Sequence, residues 1–187
     1  MLEEFILSAV FVALSEICDK TQITLMLLSS KTKKHKELLL SAMLAFLIVD
    51  GIGIFFGSLL REFFIKELIR VFSAIIFILF GAFILIDSKF KKFGVVDKAI
   101  NKNPFTIGFS MIFLAEFGDK TQILSGILAM NYAPLMVFFG ALTALFFLSL
   151  IAIYLSKNFI CKFNEGKISK ISGIIFIAFG ISFILFI

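Results

Sequence analysis

Charged residues, tryptophan, cysteine and histidine are all scarce in this chain of 187 residues. Only 17% of the residues are charged and 60% are hydrophobic, whereas an ordinary soluble domain has about 25% charged and roughly 45–50% apolar residues. So little polar surface cannot cover a water-soluble globule, which excludes a soluble enzyme, a nucleic-acid-binding domain and a disordered protein. Cys18 and Cys161 are too few for a disulfide scaffold, and a single His35 excludes a histidine-rich metal site.

Most of the chain falls into six hydrophobic blocks. They lie at residues 4–29, 38–60, 69–87, 104–130, 132–155 and 168–187. Each has about the 20 residues that a helix needs to cross a bilayer, and runs of this length fit helices better than buried strands. We therefore expect an all-α membrane protein with six transmembrane helices. The first block is not expected to be a cleaved signal peptide, because Glu3 and Glu4 stand where basic residues would be.

The loops between the blocks predict the orientation in the membrane. Basic residues are concentrated at 31–36, 89–102 and 157–170, whereas the loop at 61–70 mixes basic with acidic residues. Loops rich in Lys and Arg stay in the cytoplasm. Both termini are therefore expected outside, most simply in the cell membrane.

The sequence repeats itself. Residues 15–23, which read SEICDKTQI, return at 115–123 as AEFGDKTQI. Independently, residues 73–81 match residues 172–180 at nearly the same offset. Apolar low complexity could account for part of the second match but hardly for the first.

These echoes predict two duplicated units of three helices. We expect a first repeat at residues 1–90, a cytoplasmic linker at 91–103 and a second repeat at 104–187. Because each unit has an odd number of spans, the two would enter the membrane from opposite sides. Inverted repeats are typical of secondary transporters, whose substrate site lies near the midplane where the repeats meet.

Each motif places ionisable residues three or four positions apart near the middle of a span, so that on a helix they would share one face. These residues are Glu16, Asp19, Lys20, Glu116, Asp119 and Lys120. Ionisable groups at that depth are costly and indicate function. Four carboxylates and two ammonium groups would together carry a net charge of −2, which one divalent cation would neutralise.

Hard oxygen ligands dominate the two motifs, which favours Ca²⁺, Mg²⁺ or Mn²⁺ over Zn²⁺ or Cu. The predicted metal ligands are Glu16, Asp19, Gln22, Glu116, Asp119 and Gln122. The predicted supporting residues are Lys20, Thr21, Lys120, Thr121 and Asp50. The ion would be a transported substrate, and no cofactor is expected.

A purely structural interpretation of the motifs is also open. Glu16 with Lys20, and Glu116 with Lys120, could form salt bridges that only join helices. That interpretation leaves the motif aspartates without partners in the middle of the membrane, where burying an unpaired charge costs the most free energy. The two glutamines could likewise serve as interhelical hydrogen-bond links.

Two copies of E-x-G-D-[K/R]-[T/S] in a six-helix membrane protein resemble uncharacterised protein family 0016, a family of manganese and calcium transporters. The resemblance covers essentially the whole chain. It places the family's acidic residues at the four motif carboxylates, its basic residue at Lys20 and Lys120, and its hydroxyl at Thr21 and Thr121. The first copy departs from the pattern, because Cys18 stands where the family has glycine. The resemblance also implies cation/proton exchange.

Asp50 lies in the middle of the second block beside Gly51 and Gly53. It could be an additional ligand or proton carrier, or a hydrogen-bonded residue at a glycine kink. Gly53 and Gly57 would allow close helix packing.

Other functions compete with cation transport. An exporter of a small cationic organic solute, such as a basic amino acid, could use similar repeats. It would need a larger binding site with less charge than four convergent carboxylates. An intramembrane aspartyl protease would need a G-x-G-D motif, and here Glu116 precedes Phe117-Gly118-Asp119. Without a nucleotide-binding loop, pumping would have to use a gradient. We therefore expect no enzyme, and predict that the metal-free site takes up protons on Glu16 or Glu116, with Asp50 as a further proton site.

Overall fold

The computed structural model describes residues 1–17, 19–86, 103–154 and 165–185 of the chain. These residues form eight α-helices and no strand, which confirms the all-α expectation. The helices are α1 (Leu2–Glu16), α2 (Lys20–Lys31), α3 (His35–Phe63), α4 (Lys66–Ile86), α5 (Pro104–Glu116), α6 (Lys120–Asn131), α7 (Pro134–Tyr154) and α8 (Glu165–Leu185). Most of the linker predicted at 91–103 lies outside the described residues, as does Cys161.

Two of the six hydrophobic blocks are each divided into two helices, at the two copies of the motif. The prediction that each motif lies on one continuous helix, with Glu, Asp and Lys on one face, is therefore wrong. After α5 the backbone leaves the helix at Phe117, with φ −64° and ψ 116°, and Gly118 follows at φ +77°. Glycine adopts this left-handed conformation at little cost. Asp119 then precedes α6 in an extended conformation typical of an N-cap residue.

The first motif breaks in the same way. Ile17 ends α1 with φ −62° and ψ 126°, and α2 begins at Lys20. In both copies the Asp N–H donates to the carbonyl of the motif Glu, at 3.1 Å for Asp19 to Glu16. Cys18 itself and the side chain of Lys20 are outside the described part of the structure.

Two of the described helices are long and apolar enough, by length and composition, to cross a membrane. They are α3 with 29 residues and α7 with 21. These two helices support the helix pairs that are interrupted at the motifs: α3 packs against α5 and α6, and α7 packs against α1 and α2.

Contacts between the two halves of the chain are reciprocal. The pairs α1·α7 and α5·α3 correspond, as do α2·α7 and α6·α3, and α4 packs against α8. Individual glycine–serine contacts between the halves are reciprocal as well. A Cβ on Gly108 would clash with Ser41, and one on Gly140 would clash with Ser8. Each half therefore uses the same surface to meet the other.

Phenylalanine fills the space beside the broken helices. Phe11 of α1 has its ring centre 4.0 Å from that of Phe179 and 6.0 Å from that of Phe77. Phe77 in turn stacks on Phe176 and Phe183 of α8. This aromatic cluster holds α1 against α4 and α8, so it positions the end of α1 where Glu16 lies.

Candidate functional site

The ends of the broken helices bring the two motifs together in the interior. Glu16 is the last residue of α1 and Glu116 the last of α5, and their side chains are 0% and 2% exposed. Thr21 and Thr121 lie in the first turns of α2 and α6 and are fully buried. Ending a helix at each motif interrupts the regular backbone hydrogen bonds there, and the four side chains are buried in the interior.

Each glutamate is hydrogen-bonded by the threonine of the opposite motif. Thr21 donates its hydroxyl to Oε1 of Glu116, and Thr121 donates to Oε1 of Glu16. Ser15 extends the network, with its Oγ 3.3 Å from Oγ1 of Thr121. Since the four residues are buried, these charge-assisted bonds fix the carboxylates in place.

Three carboxylates converge on one point. Oxygens of Glu16, Glu116 and Asp119 all lie within 4.8 Å of one another. Divalent cations bind oxygen at about 2.0–2.6 Å, so oxygens up to roughly 5 Å apart can share one ion. Oε2 of Glu16 is also buried with no hydrogen-bond partner in the described part of the chain. The three groups therefore have the spacing, and Glu16 the spare oxygen, that an ion needs.

Asp19 is placed differently from the other three acids. Its Oδ2 forms an ion pair with Nζ of Lys120, and that Nζ also lies 3.8 Å from Oε1 of Glu16. Lys120 thus pairs with acids of the opposite motif, whereas the structural interpretation would pair it with Glu116. This cross-pairing follows from the break between α5 and α6, which removes the helical spacing between Glu116 and Lys120.

The two motif glutamines have different surroundings. Gln122 donates Nε2 to the carbonyl of Val49 at 3.1 Å and accepts from the N–H of Gly118 at 2.8 Å, so it braces the break and joins α6 to α3. Gln22 is 1% exposed, and neither end of its amide has a hydrogen-bond partner among the described residues. Gln122 therefore acts as the interhelical link considered from the sequence, while the buried Gln22 amide has a free oxygen to offer.

Asp50 lies in α3, outside the group of three converging acids, and is 2% exposed. Its Oδ1 accepts a hydrogen bond of 3.0 Å from Ser125 of α6. Sequence reasoning did not single out Ser125 or Ser15. Their signal was available in part, since Ser125 lies three residues after Gln122 and therefore on the same face of α6.

A buried acidic site at the breaks of paired helices is the arrangement found in secondary transporters of cations. The chain matches the sequence profile of the family described as divalent cation/proton antiporter GDT1, over residues 4–92 and 104–186. It belongs to that family, which comprises cation transporters rather than enzymes. The transporter interpretation of the sequence is confirmed, and the alternative of an organic-cation exporter finds no support.

Similar proteins come from bacteria, yeast and plants. A Vibrio cholerae protein named as a proposed manganese exporter is 27% identical over 173 residues, which cover 91% of this chain and 85% of that protein. The divalent cation/proton antiporter GDT1 of Saccharomyces cerevisiae is 30% identical over 76 residues, 41% of this chain and 27% of the yeast protein. A chloroplast PAM71 homologue of Arabidopsis thaliana is 38% identical over 61 residues, 33% of this chain and 17% of its own. No solved structure matches the chain.

Proposed function

We propose that this protein exchanges Mn²⁺ or Ca²⁺ for protons across the cell membrane, and that the ion binds between the two motifs. The observation that carries this proposal is the convergence of Glu16, Glu116 and Asp119 within 4.8 Å in the buried interior. The family match supplies the reaction class, and the Vibrio cholerae relative, which aligns along most of its length, makes manganese the first ion to test.

The donor set fits these ions chemically. Carboxylate oxygens are hard ligands that suit both Mn²⁺ and Ca²⁺. We infer that Glu16, Glu116 and Asp119 are the principal ligands and that Gln22 contributes its amide oxygen. Asp19 reaches the ion less directly, because its carboxylate is paired with Lys120. Thr21 and Thr121 would hold the glutamates and leave the second oxygen of each for the ion.

Protons would compete for the same carboxylates. With no ion bound, three convergent carboxylates repel one another and are poorly solvated, and protonation relieves both costs. Binding of a divalent ion would then release the protons. Exchange follows because one site holds either the ion or protons, and alternating access carries whichever is bound.

The proposed architecture is six membrane spans in two inverted repeats, residues 1–90 and 104–187, with both termini outside. In this arrangement α1 with α2, and α5 with α6, each form one broken span. Discontinuous helices at the midplane are the usual frame for ion sites in transporters. The reciprocal packing of the halves and the concentration of lysines in three loops support this arrangement.

The test is transport by the purified protein in liposomes. We expect Mn²⁺ or Ca²⁺ influx to be driven by an imposed proton gradient and to carry protons the other way. Glu16→Gln and Glu116→Gln should abolish transport without preventing membrane insertion, because each makes a span more apolar. Glu62→Gln is the matched control, since Glu62 is exposed at the end of α3. Active Glu16→Gln and Glu116→Gln variants, or wild-type flux that is indifferent to the proton gradient, would contradict the proposal.

A further inference from the structure

Asp50 is a buried acid that the metal cluster does not use. Its carboxyl has one hydrogen-bond partner, Ser125, and no ion-pair partner in the described part of the chain. A carboxylate buried at this depth without a counter-charge is strongly disfavoured, whereas the neutral acid is tolerated. As long as α3 and α6 stay together, burial therefore favours the protonated form of the side chain.

The position of Asp50 is not matched in the other half. Ser41 of α3 meets Gly108 just as Ser8 meets Gly140 of α7, so Ser41 and Gly140 occupy corresponding positions. Counting the same distance along each helix brings Asp50 of α3 into correspondence with Ser149 of α7. Ser149 is fully buried. The motif carboxylates thus come in pairs, whereas the position on α7 that corresponds to Asp50 has a hydroxyl group, that of Ser149, and no acid.

The helices α3 and α6 are in close contact one and two turns beyond Asp50, at Gly53 and Gly57. A Cβ on Gly53 would lie 2.5 Å from the carbonyl oxygen of Gln122, and one on Gly57 would overlap the backbone of Gly126. A single carboxylate is too few ligands for an ion that takes about six to eight oxygens. A proton needs no further ligands.

The charged groups around Asp50 do not neutralise it. The charged residue of α5 is the acid Glu116, at the C-terminal end of that helix. From α6 the charged residues are Lys120, at the N-terminal end with its Nζ turned to the opposite motif, and Asp119 just before it. The described part of α7 has no charged residue, and on α2 the charged residue with a described side chain is Lys31, at the C-terminal end of that helix.

We propose that Asp50 is a second, proton-only site of the exchange, which carries one proton across the membrane and meets outer water when α6 separates from α3. This inference rests on the proposed function. Opening the α3–α6 contact would let water reach Asp50, and the hydrated acid would release its proton to that water as a hydronium ion. In the proposed topology both helices end outside, at Phe63 and Asn131, so this opening would connect Asp50 to the outer side. In the inward-facing state of the same alternating access Asp50 would exchange its proton with the cytoplasm, so that one proton crosses the membrane in each cycle.

The experiment compares Asp50→Asn with wild type, using Mn²⁺ as the probe. In weak buffer we expect the variant to bind Mn²⁺ but to move about one proton fewer per ion across liposomes. Glu62→Gln, the same loss of a carboxylate at an exposed position of α3, should leave the ratio unchanged. Ser125→Ala keeps the acid and should preserve the ratio while shifting the pH at which transport is half-maximal.

Three results would overturn the assignment. They are an unchanged proton-to-Mn²⁺ ratio in Asp50→Asn, loss of Mn²⁺ binding in that variant, which would make Asp50 a ligand, and a Ser125→Ala pH profile equal to wild type. If Asp50→Asn does not fold, the Ser125→Ala profile decides. Wild-type protein that shows no Mn²⁺/proton exchange would instead refute the proposed function, so the two failures are distinguishable.

Discussion

The hydroxyl of Thr121 stabilises the ionised form of Glu16, its partner in the opposite motif. A hydrogen bond to a charged group contributes about 1.5–3 kcal/mol. Thr121→Ala removes this donor and leaves a buried carboxylate that holds protons more strongly. We expect the variant to bind Mn²⁺ about 10-fold to 100-fold more weakly at neutral pH, as measured by calorimetry. Thr121→Ser retains the hydroxyl and should bind within a few-fold of wild type, and equal weakening in both variants would contradict this role.

In the proposed metal site, Lys120 would limit how tightly an ion is held. Its ammonium group pairs with Asp19 and lies near Glu16, so it would compete with an ion for these two acids. Lys120→Met should therefore increase the affinity for Mn²⁺ and slow its release, which lowers the maximal transport rate. Binding and flux are measured on the same preparation, with Lys66→Met, at the exposed start of α4, as the control. Weaker Mn²⁺ binding in Lys120→Met would show that the lysine organises the site rather than opposing the ion.

At the scale of single residues, the sequence predicts which residues form the candidate site better than it predicts which residues they pair with. The doubled motif singles out Glu16, Glu116 and Asp119, because buried charge is rare enough to stand out in an apolar chain. It does not predict that Lys120 pairs with Asp19, since that pairing depends on how the two halves meet. The loss of helical spacing at the break then excludes the local pairing.

The helix breaks at the motifs show what periodicity alone misses. An apolar run with a three-residue interruption still averages as a membrane span, so blocks 4–29 and 104–130 appear continuous. The local signals are Gly118, which adopts φ +77°, and an Asp next to the new helix, a residue type favoured at N-caps. The existence and order of the other helices follow from the sequence directly.

The α3–α6 interface depends on glycine. At Gly57 a Cβ would overlap the backbone of Gly126, so Gly57→Ala must push the two helices apart. We expect this variant to insert in the membrane but to lose most of its transport, since it cannot close this side of the site. Gly51→Ala is the matched control on the same helix, because its Cβ would make only an ordinary contact of 3.7 Å with Phe138.

Thermal unfolding and flux are measured for both glycine variants. We expect Gly51→Ala to retain wild-type transport, since alanine is also the better helix former by about 1 kcal/mol. Wild-type transport in Gly57→Ala would mean that the close contact plays no part in access to the site.

For the whole molecule, the arrangement in the membrane is the prediction with most consequences. The lysine-rich loops predict that residue 33 lies in the cytoplasm and residue 131 outside. In a background with both native cysteines replaced, Lys33→Cys and Asn131→Cys should react with an impermeant thiol reagent from opposite sides of the membrane. Labelling of both from one side would refute the inverted orientation of the two repeats.

The crossed hydrogen bonds from Thr21 to Glu116 and from Thr121 to Glu16 also have a genetic consequence. Neither half makes these two hydrogen bonds with its own residues alone, so we expect a half-length chain expressed by itself to be inert. Two half-length chains produced together could restore activity, because the missing donors arrive with the other fragment. The two motifs are therefore expected to evolve together, because a substitution of the threonine in one copy alters the surroundings of the glutamate in the other.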